Sequence, residues 1–136
     1  MASEKFSGSC LCGSVRFEIA PPFLAFRYCH CSRCRKASGS AHAANIFVPQ
    51  GQFAWLAGES SVSRYDLPGA QRFAVWFCGK CGTRVPHKIR GREDYLIPAG
   101  LLDSDPGQRP DNSIFWGSRA PWYLQPEDMP QHNEYP

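Results

Sequence analysis

The sequence predicts a single small, mainly β domain with one short helix, and three features of the chain support this prediction. The chain has 136 residues, which suffice for one hydrophobic core but leave no room for a second. Its 12 glycines and 12 prolines are spread in short clusters, and such frequent breaks favour short strands over long helices. Stretches between the breaks alternate apolar and polar residues, as half-buried strands do. We therefore expect one domain over residues 1–136, with residues 124–136 as a C-terminal tail.

About six strands are predicted from this pattern. The clearest is residues 14–20, in which every second residue is apolar. The other five, most of them rich in aromatic or β-branched residues, are 43–48, 61–66, 72–77, 83–89 and 95–101. Pro86 and Pro98 interrupt the last two, so we expect edge positions or bulges there.

One helix and one irregular segment complete the predicted organisation. The helix is residues 32–38, where Ser32 could cap the first turn and Gly39 could end the last one. From residue 103 to residue 136 the chain is rich in proline and contains several aromatic residues. We expect this segment to be an irregular strap whose aromatic side chains pack back onto the sheet.

Composition and charge exclude several functional classes. The net charge of +3 is too small and too dispersed for a nucleic-acid-binding surface. No run approaches the roughly 18 apolar residues that a membrane span requires. The opening MASEKFSGSC lacks the basic and apolar regions of a signal peptide. We therefore expect a cytoplasmic protein with no nucleic-acid partner and no membrane partner.

The seven cysteines are the most informative feature of the sequence. They form three close groups, Cys10-x-Cys12, Cys29-x-Cys31-x-x-Cys34 and Cys78-x-x-Cys81. A disulfide framework would prefer an even number of cysteines in a secreted chain. Pairs separated by one or two residues instead suit a tetrahedral zinc ion, because a tight turn can direct two sulfurs to one point about 2.3 Å away.

Seven thiolate ligands divide naturally into four and three. Four ligands complete a structural zinc site, whereas three leave one tetrahedral position open for water or substrate. Grouping by spacing assigns the compact central motif to the open site and the two outer pairs to the closed one, which would tie distant parts of a small core together. Spacing does not force this division, because joining Cys10 and Cys12 with Cys29 and Cys31 would leave Cys34, Cys78 and Cys81 as the set of three.

Four segments of the sequence carry a resemblance to a known family. They are GSCLCGSVRF at 8–17, CHCSRCRKASG at 29–39, FCGKCGT at 77–83 and APWY at 120–123. In this order they resemble the glutathione-dependent formaldehyde-activating enzyme family, which also includes centromere protein V. The resemblance covers about residues 7–123, and it implies a tent-like pair of β-sheets held at one edge by zinc.

The resemblance also implies an activity and two zinc ions per chain. It implies a structural zinc held by Cys10, Cys12, Cys78 and Cys81. It implies a catalytic zinc held by Cys29, Cys31 and Cys34. The implied activity is that of a carbon–sulfur lyase, in which glutathione and formaldehyde combine reversibly as S-hydroxymethylglutathione. A related small aldehyde is compatible with the same chemistry.

Basic residues around the central motif are candidates for binding the substrate. Three thiolates and one zinc ion carry one net negative charge, and a substrate thiolate would add a second, so nearby cations should matter. They could also bind the two carboxylates of glutathione. The basic candidates are Arg27, Arg33, Arg35 and Lys36, and the aromatic candidate for the wall of a substrate cleft is Trp116.

One position departs from the family's pattern, and other functions stay open. Ser113 stands where the family would have a histidine before an Ile-Phe pair, so the thiol or aldehyde could differ from the family's. An alternative function is a non-catalytic, zinc-stabilised binding module, whose second metal is closed by His30, a carboxylate or a partner chain. A redox-sensing role, in which exposed thiols release metal on oxidation, is a further alternative. His42 and His87 are expected to be packed or surface residues.

Overall fold

The structure is a computed structural model that describes residues 4–136, so residues 1–3 of the predicted domain lie outside it. The strands are β1 (Phe6–Ser9), β2 (Arg16–Ile19), β3 (Ala25–Cys29), β4 (Ala43–Pro49), β5 (Phe53–Ala57), β6 (Val62–Asp66), β7 (Ala74–Cys78), β8 (Arg84–Val85), β9 (His87–Lys88), β10 (Asp94–Pro98) and β11 (Asn112–Ile114). The helix is α1 (Ser32–Ser38). The prediction of a mainly β fold with one short helix is confirmed. No helix between residues 4 and 136 is long and apolar enough to cross a membrane.

The strands pair in three sheets. Their orders are β1-β2-β5, β11-β3-β4-β10-β9 and β6-β7-β8. Neighbouring strands are antiparallel, except that β11 runs parallel to β3. The resemblance implied a pair of sheets; hydrogen bonding gives three, because β6, β7 and β8 pair with one another and not with the other strands described.

All six predicted strands overlap strands of the structure, but two of the predicted stretches differ from the structure in extent. Pro86 splits the stretch predicted at 83–89 into β8 and β9, which are edge strands of two different sheets, as a proline requires. The stretch predicted at 95–101 is β10 followed by a 3-10 turn, Ala99–Leu101. The edge position expected for it is wrong, because β10 lies between β4 and β9. Pro98 is tolerated there because it is the last residue of β10 and lies beyond the residues that pair with β9.

Four strands are not predicted by the alternation of apolar and polar residues. β1 and β11 have only 4 and 3 residues, which is too short for a period of two to be recognised. β3 begins with two consecutive buried residues, Ala25 and Phe26, and therefore does not alternate. The remaining unpredicted strand is β5, all five of whose residues are partly or fully exposed.

The main core lies between the sheet β1-β2-β5 and the five-stranded sheet. Its buried members are Phe6, Phe17, Ile19, Phe26, Ile46, Val48 and Ile97. Gly8 lies where β1 crosses this core, and a Cβ atom there would be 2.6 Å from the Phe17 ring and 2.6 Å from the carbonyl oxygen of Leu101. Glycine is therefore required for β1 to approach the core this closely.

The helix α1 spans the predicted residues, but a different residue caps it. Cys31, and not Ser32, is the N-cap, because its backbone is extended and its Sγ accepts a hydrogen bond from the Cys34 N–H at 3.3 Å. Gly39 ends the helix in the left-handed region, with φ of 65°, as expected for a C-terminal glycine. The cap itself is thus a candidate metal ligand, so the fold of α1 and the geometry of the central motif are coupled.

The C-terminal segment packs back only in part, because Phe115 and Trp122 are exposed, and some of it is regular. β11 adds to the edge of the five-stranded sheet, and the Asp111 carboxylate accepts a hydrogen bond from the Phe26 N–H at 2.8 Å. Beyond β11, the rings of Trp116 and Tyr123 lie with their centroids 5.1 and 5.2 Å from that of His30. This segment therefore covers the back of the central cysteine motif.

Candidate metal centres and substrate cleft

The four outer cysteines meet between two turns that are distant in sequence. The sulfurs of Cys10, Cys12, Cys78 and Cys81 all lie within 4.8 Å of one another. Cys10 Sγ is 3.6 Å from Cys12 Sγ, which is 3.9 Å from Cys78 Sγ. Sulfurs bound at 2.3 Å to one tetrahedral ion lie about 3.8 Å apart. The four-cysteine cluster therefore has the spacing that such an ion requires.

Backbone amides from both turns face the sulfurs of the four-cysteine cluster. The Val15 N–H donates to Cys10 Sγ at 3.3 Å, and the Lys80 N–H donates to Cys78 Sγ at 3.4 Å. Hydrogen bonds to sulfur favour its anionic form. These amides therefore favour the thiolate, the form that binds metal, although burial acts against them at Cys10 and raises the pKa of that thiol.

Thr83 connects the two turns directly. Its hydroxyl accepts a hydrogen bond from the Leu11 N–H at 3.0 Å and lies 3.2 Å from Cys81 Sγ. Hydrogen bonding from Thr83 lowers the pKa of Cys81 to about 5. Gly82, with φ of 79°, supplies the left-handed residue that directs the chain from Cys81 into β8.

The three central cysteines form a second cluster at the junction of β3 and α1. Cys29 ends β3, Cys31 caps α1, and Cys34 lies in the first turn of the helix. Their sulfurs lie within 4.8 Å of one another, and no histidine or carboxylate between residues 4 and 136 joins them. Three such sulfurs fit one tetrahedral ion with one coordination position left over.

The sulfurs of the three-cysteine cluster are not equivalent. Cys29 and Cys34 are buried, whereas Cys31 is partly exposed. A hydrogen bond from Cys34 lowers the pKa of Cys29 to about 6. The same hydrogen bond, together with burial, raises the pKa of Cys34. Close thiols in this cluster therefore hold a negative charge cooperatively, which is what a thiophilic cation needs.

The structure brings the cysteines together in the two groups that spacing favours. Both groups could hold metal ions. The alternative set of Cys34, Cys78 and Cys81 does not occur in the described part of the chain, because Cys34 lies with Cys29 and Cys31. That the ion is zinc stays a prediction.

A cleft of about 770 Å³ opens at the three-cysteine cluster, and all three of its cysteines line the wall. Residues 69–73, in the connection from β6 to β7, form another wall together with Ala74 at the start of β7. None of the four outer cysteines lines this cleft. Its volume lies in the range typical of small-molecule sites.

The cleft is strongly positive. The arginines on its wall are Arg27, Arg33, Arg72, Arg84 and Arg92, and no aspartate or glutamate lines it. Arg92 is paired with Asp94, with donor–acceptor distances of 2.9 and 2.7 Å. The other four form no ion pair with any residue from 4 to 136. The cleft therefore suits an anionic ligand.

The predicted substrate contacts are placed in three different environments. Arg33 lines the cleft, as Arg27 does. Lys36 lies, again with Arg33, at an adjoining apolar groove of about 430 Å³. Arg35 lines neither, and its Nε is buried without a hydrogen-bond partner among residues 4–136. Trp116 does not line the cleft either; it lies against His30 and beneath the guanidinium of Arg119, 4.4 Å from the ring centroid.

Three arginines and one histidine of the cleft are missed by reasoning from the sequence. Arg72, Arg84 and Arg92 lie far from the central motif in sequence, and strand pairing brings them to it. His87 is buried in β9, where burial and the charge of Arg84 lower its pKa to about 4. The one local signal is that Arg84 follows Cys81 by three residues.

Two further residues considered in the sequence analysis, His30 and Ser113, lie outside the three-cysteine cluster. His30 is fully buried among aromatic rings, and neither ring nitrogen has a hydrogen-bond partner in the described chain. It does not join the three sulfurs. Ser113 is exposed in β11 and does not line the cleft, although the next two residues, Ile114 and Phe115, do.

Comparisons with known proteins identify the family. Residues 5–118 match the family described as glutathione-dependent formaldehyde-activating enzyme. A protein of Halomonas elongata, named provisionally as such an enzyme, is 32% identical over 91% of this chain and 82% of its own length. The crystal structure of a Rhodobacter sphaeroides protein superimposes with a TM-score of 0.59 and 26% identity, covering 76% of this chain and 97% of that one. The chain therefore belongs to the glutathione-dependent formaldehyde-activating enzyme family.

Proposed function

We propose that this protein is a zinc-dependent carbon–sulfur lyase that forms and cleaves S-hydroxymethylglutathione, or the adduct of a related small aldehyde. The observation that carries the proposal is that the three-cysteine cluster, and not the four-cysteine cluster, lines the arginine-rich cleft. Three thiolates leave a tetrahedral zinc one position for substrate, whereas four leave none. The reaction therefore belongs to the three-cysteine cluster.

The proposal gives the two clusters different roles and implies two zinc ions per chain. The structural zinc is held by Cys10, Cys12, Cys78 and Cys81. The catalytic zinc is held by Cys29, Cys31 and Cys34. The structural site joins the turn after β1 to the turn after β7, and so closes a loop that the small core alone holds weakly.

The reaction is an addition of S–H across C=O and its reversal. In the forward direction a bond forms between sulfur and the aldehyde carbon, and the thiol proton ends on the former carbonyl oxygen. Zinc bound at the three cysteines would hold the substrate sulfur as a thiolate and polarise the carbonyl group. No oxidant, reductant or further cofactor is needed.

The chain's own residues bind and orient the thiol. Glutathione carries two carboxylates, and Arg27, Arg33 and Arg72 present cations along the cleft that leads to the sulfurs. The apolar side chains of Phe47 and Leu96 complete the wall and limit the access of water. The proposal places the reaction in the cytoplasm, where thiols stay reduced.

The alternative of a non-catalytic zinc module requires a closed second site. The structure offers no fourth ligand for it, since no histidine or carboxylate from residue 4 onward joins the three sulfurs. This observation favours an open, reactive centre, and the alternative becomes one outcome of the assay below.

The test is the rate of exchange between free formaldehyde plus glutathione and their adduct, measured by exchange NMR. Three samples are compared: zinc-loaded protein, its Cys31→Ala variant and buffer alone, because the reaction also runs uncatalysed. We expect acceleration by the wild type alone, and circular dichroism should show that the variant is folded. Equal rates in all three samples, with two zinc ions bound per wild-type chain, would contradict the lyase function and favour the binding module.

A further inference from the structure

Arg84 is a partly buried arginine that has no acidic partner in the described chain. It begins β8 and lies opposite Phe77 of β7. Its Nε is buried without a hydrogen-bond partner, and none of the ion pairs between residues 4 and 136 includes it. A buried charge that is neither paired nor hydrogen-bonded is costly. Such a cation is expected to face an anion.

The anionic groups that face Arg84 are the sulfurs of the three-cysteine cluster. Arg84 and the three cysteines line the same cleft. Phe73 is a neighbour of both, since it packs against the cluster and its ring centroid is 5.9 Å from Arg84 Cζ. Burial lowers the pKa of Arg84, and the charges of the three thiolates oppose this. The neighbouring histidine, His87, is kept neutral by burial and by Arg84 itself.

We propose that Arg84 is the counter-charge of the three-cysteine centre and enables it to accept a fourth, anionic sulfur. This inference rests on the proposed function for the identity of the incoming thiol. Three thiolates around a divalent ion leave one net negative charge, and a bound substrate thiolate makes two. The charge of Arg84 offsets one of them at a partly buried wall of the cleft, where a charge acts more strongly than in bulk water. Arg84 is thus a positioning residue for the substrate sulfur.

Two of the other cleft arginines differ from Arg84 in exposure and therefore in role. Arg33 and Arg72 are exposed at the wall of the cleft, where they can reach the carboxylates of the thiol. The contribution of Arg84 to ligand affinity should then depend on the charge of the ligand's sulfur. The contribution of Arg72 should depend on the charge of the ligand's carboxylates. This difference can be measured with one pair of ligands.

The first test is the zinc affinity of the three-cysteine centre, followed by native mass spectrometry during titration with a chelator. With saturating glutathione, whose thiolate makes the centre doubly negative, we expect Arg84→Gln to lower this affinity about tenfold and Arg84→Lys to lower it no more than about threefold, because lysine keeps the charge. The zinc of the four-cysteine cluster is the internal reference and should be unaffected. Arg72→Gln is the matched control and should leave both zinc affinities unchanged. If Arg84→Gln does not fold, Arg84→Met replaces it.

The second test compares glutathione with S-methylglutathione, which keeps both carboxylates but cannot form a thiolate. Calorimetry on the zinc-loaded protein should show that Arg84→Gln weakens the binding of glutathione about tenfold and leaves the binding of S-methylglutathione unchanged. Arg72→Gln should weaken the two ligands equally. The proposal is overturned if Arg84→Gln also weakens both equally, or if it binds zinc and glutathione as the wild type does. Neither outcome depends on lyase activity, so the failure of this inference and the failure of the proposed function can be told apart.

Discussion

The four-cysteine cluster joins two turns that are 66 residues apart between Cys12 and Cys78, whereas the three-cysteine cluster lies within residues 29–34. Both clusters use thiols at similar mutual distances. Their surroundings differ, because backbone amides and Thr83 face the first cluster, whereas Phe73, Ile114 and an arginine-rich cleft face the second. The same ligand chemistry can therefore serve folding in one place and reaction in the other, and what distinguishes the two is access and charge.

The largest expected effect is a difference in stability between cysteine variants of the two clusters. We expect Cys81→Ala to unfold the domain, because a zinc that joins the two turns would contribute free energy comparable to the roughly 5–15 kcal/mol by which a small domain is stable. Cys31→Ala should leave a folded but inactive protein, since its cluster joins residues that α1 and β3 already hold. Thermal melting by circular dichroism measures both. If Cys31→Ala is as unfolded as Cys81→Ala, the division into structural and catalytic sites is wrong.

A smaller effect should be the loss of stability at low pH that comes from His87, which lines the cleft. His87 has an ordinary pKa of 6.5 when unfolded and about 4 in the buried site. Between these values the unfolded chain binds a proton that the native protein does not, so stability is present above pH 6.5 and is lost as the pH falls towards 4. The expected loss between pH 7.5 and 5 is about 2 kcal/mol.

The check on this prediction is the slope of unfolding free energy against pH for His87→Gln, which should be flatter than that of the wild type. His132→Gln, which changes an exposed histidine of the tail, is the matched control and should keep the wild-type slope. Acid loss of zinc affects all three proteins alike, so the difference between slopes isolates His87. Parallel slopes for the wild type and His87→Gln would show that its burial does not contribute to acid sensitivity.

The smallest expected effect is on the KM for glutathione, when an arginine at the exposed rim of the cleft is replaced. Arg72→Gln should raise the KM for glutathione about tenfold with little change in kcat, because a carboxylate contact remote from the sulfur contributes to ground-state and transition-state binding alike. Arg90→Gln changes an exposed arginine outside the cleft and should change neither. Steady-state kinetics measures this, and a fall in kcat with unchanged KM would instead place Arg72 in the chemical step.

The sequence predicts the cysteine clusters well because their ligands are close in sequence and a tight turn directs neighbouring sulfurs to one point. It also predicts α1 to the residue, although it assigns the cap to Ser32 when the adjacent Cys31 sulfur performs that role. A sulfur that caps a helix and is also a candidate metal ligand follows no pattern of residue preference. The cap could therefore be found only from the geometry.

The cleft could not be predicted in the same way. Arg72, Arg84 and Arg92 reach the three-cysteine cluster through strand pairing across two different sheets, and this pairing is not encoded near the motif. Proximity in sequence instead favoured Arg35 and Lys36, which adjoin Cys34 on α1 but point to other surroundings. In a β protein, local spacing thus locates a metal cluster and long-range pairing determines the side chains that face it.

The central claim is that one zinc supports the reaction and the other supports the fold, and stepwise removal of zinc tests it most directly. Chelator is added in steps, and the NMR exchange rate, the zinc content and the circular dichroism are followed on the same samples. We predict that activity disappears as the content falls from two zinc ions per chain to one while the spectrum is unchanged, and that the fold is lost only with the second ion. Full activity in folded protein that retains a single zinc at the four-cysteine cluster would contradict the account.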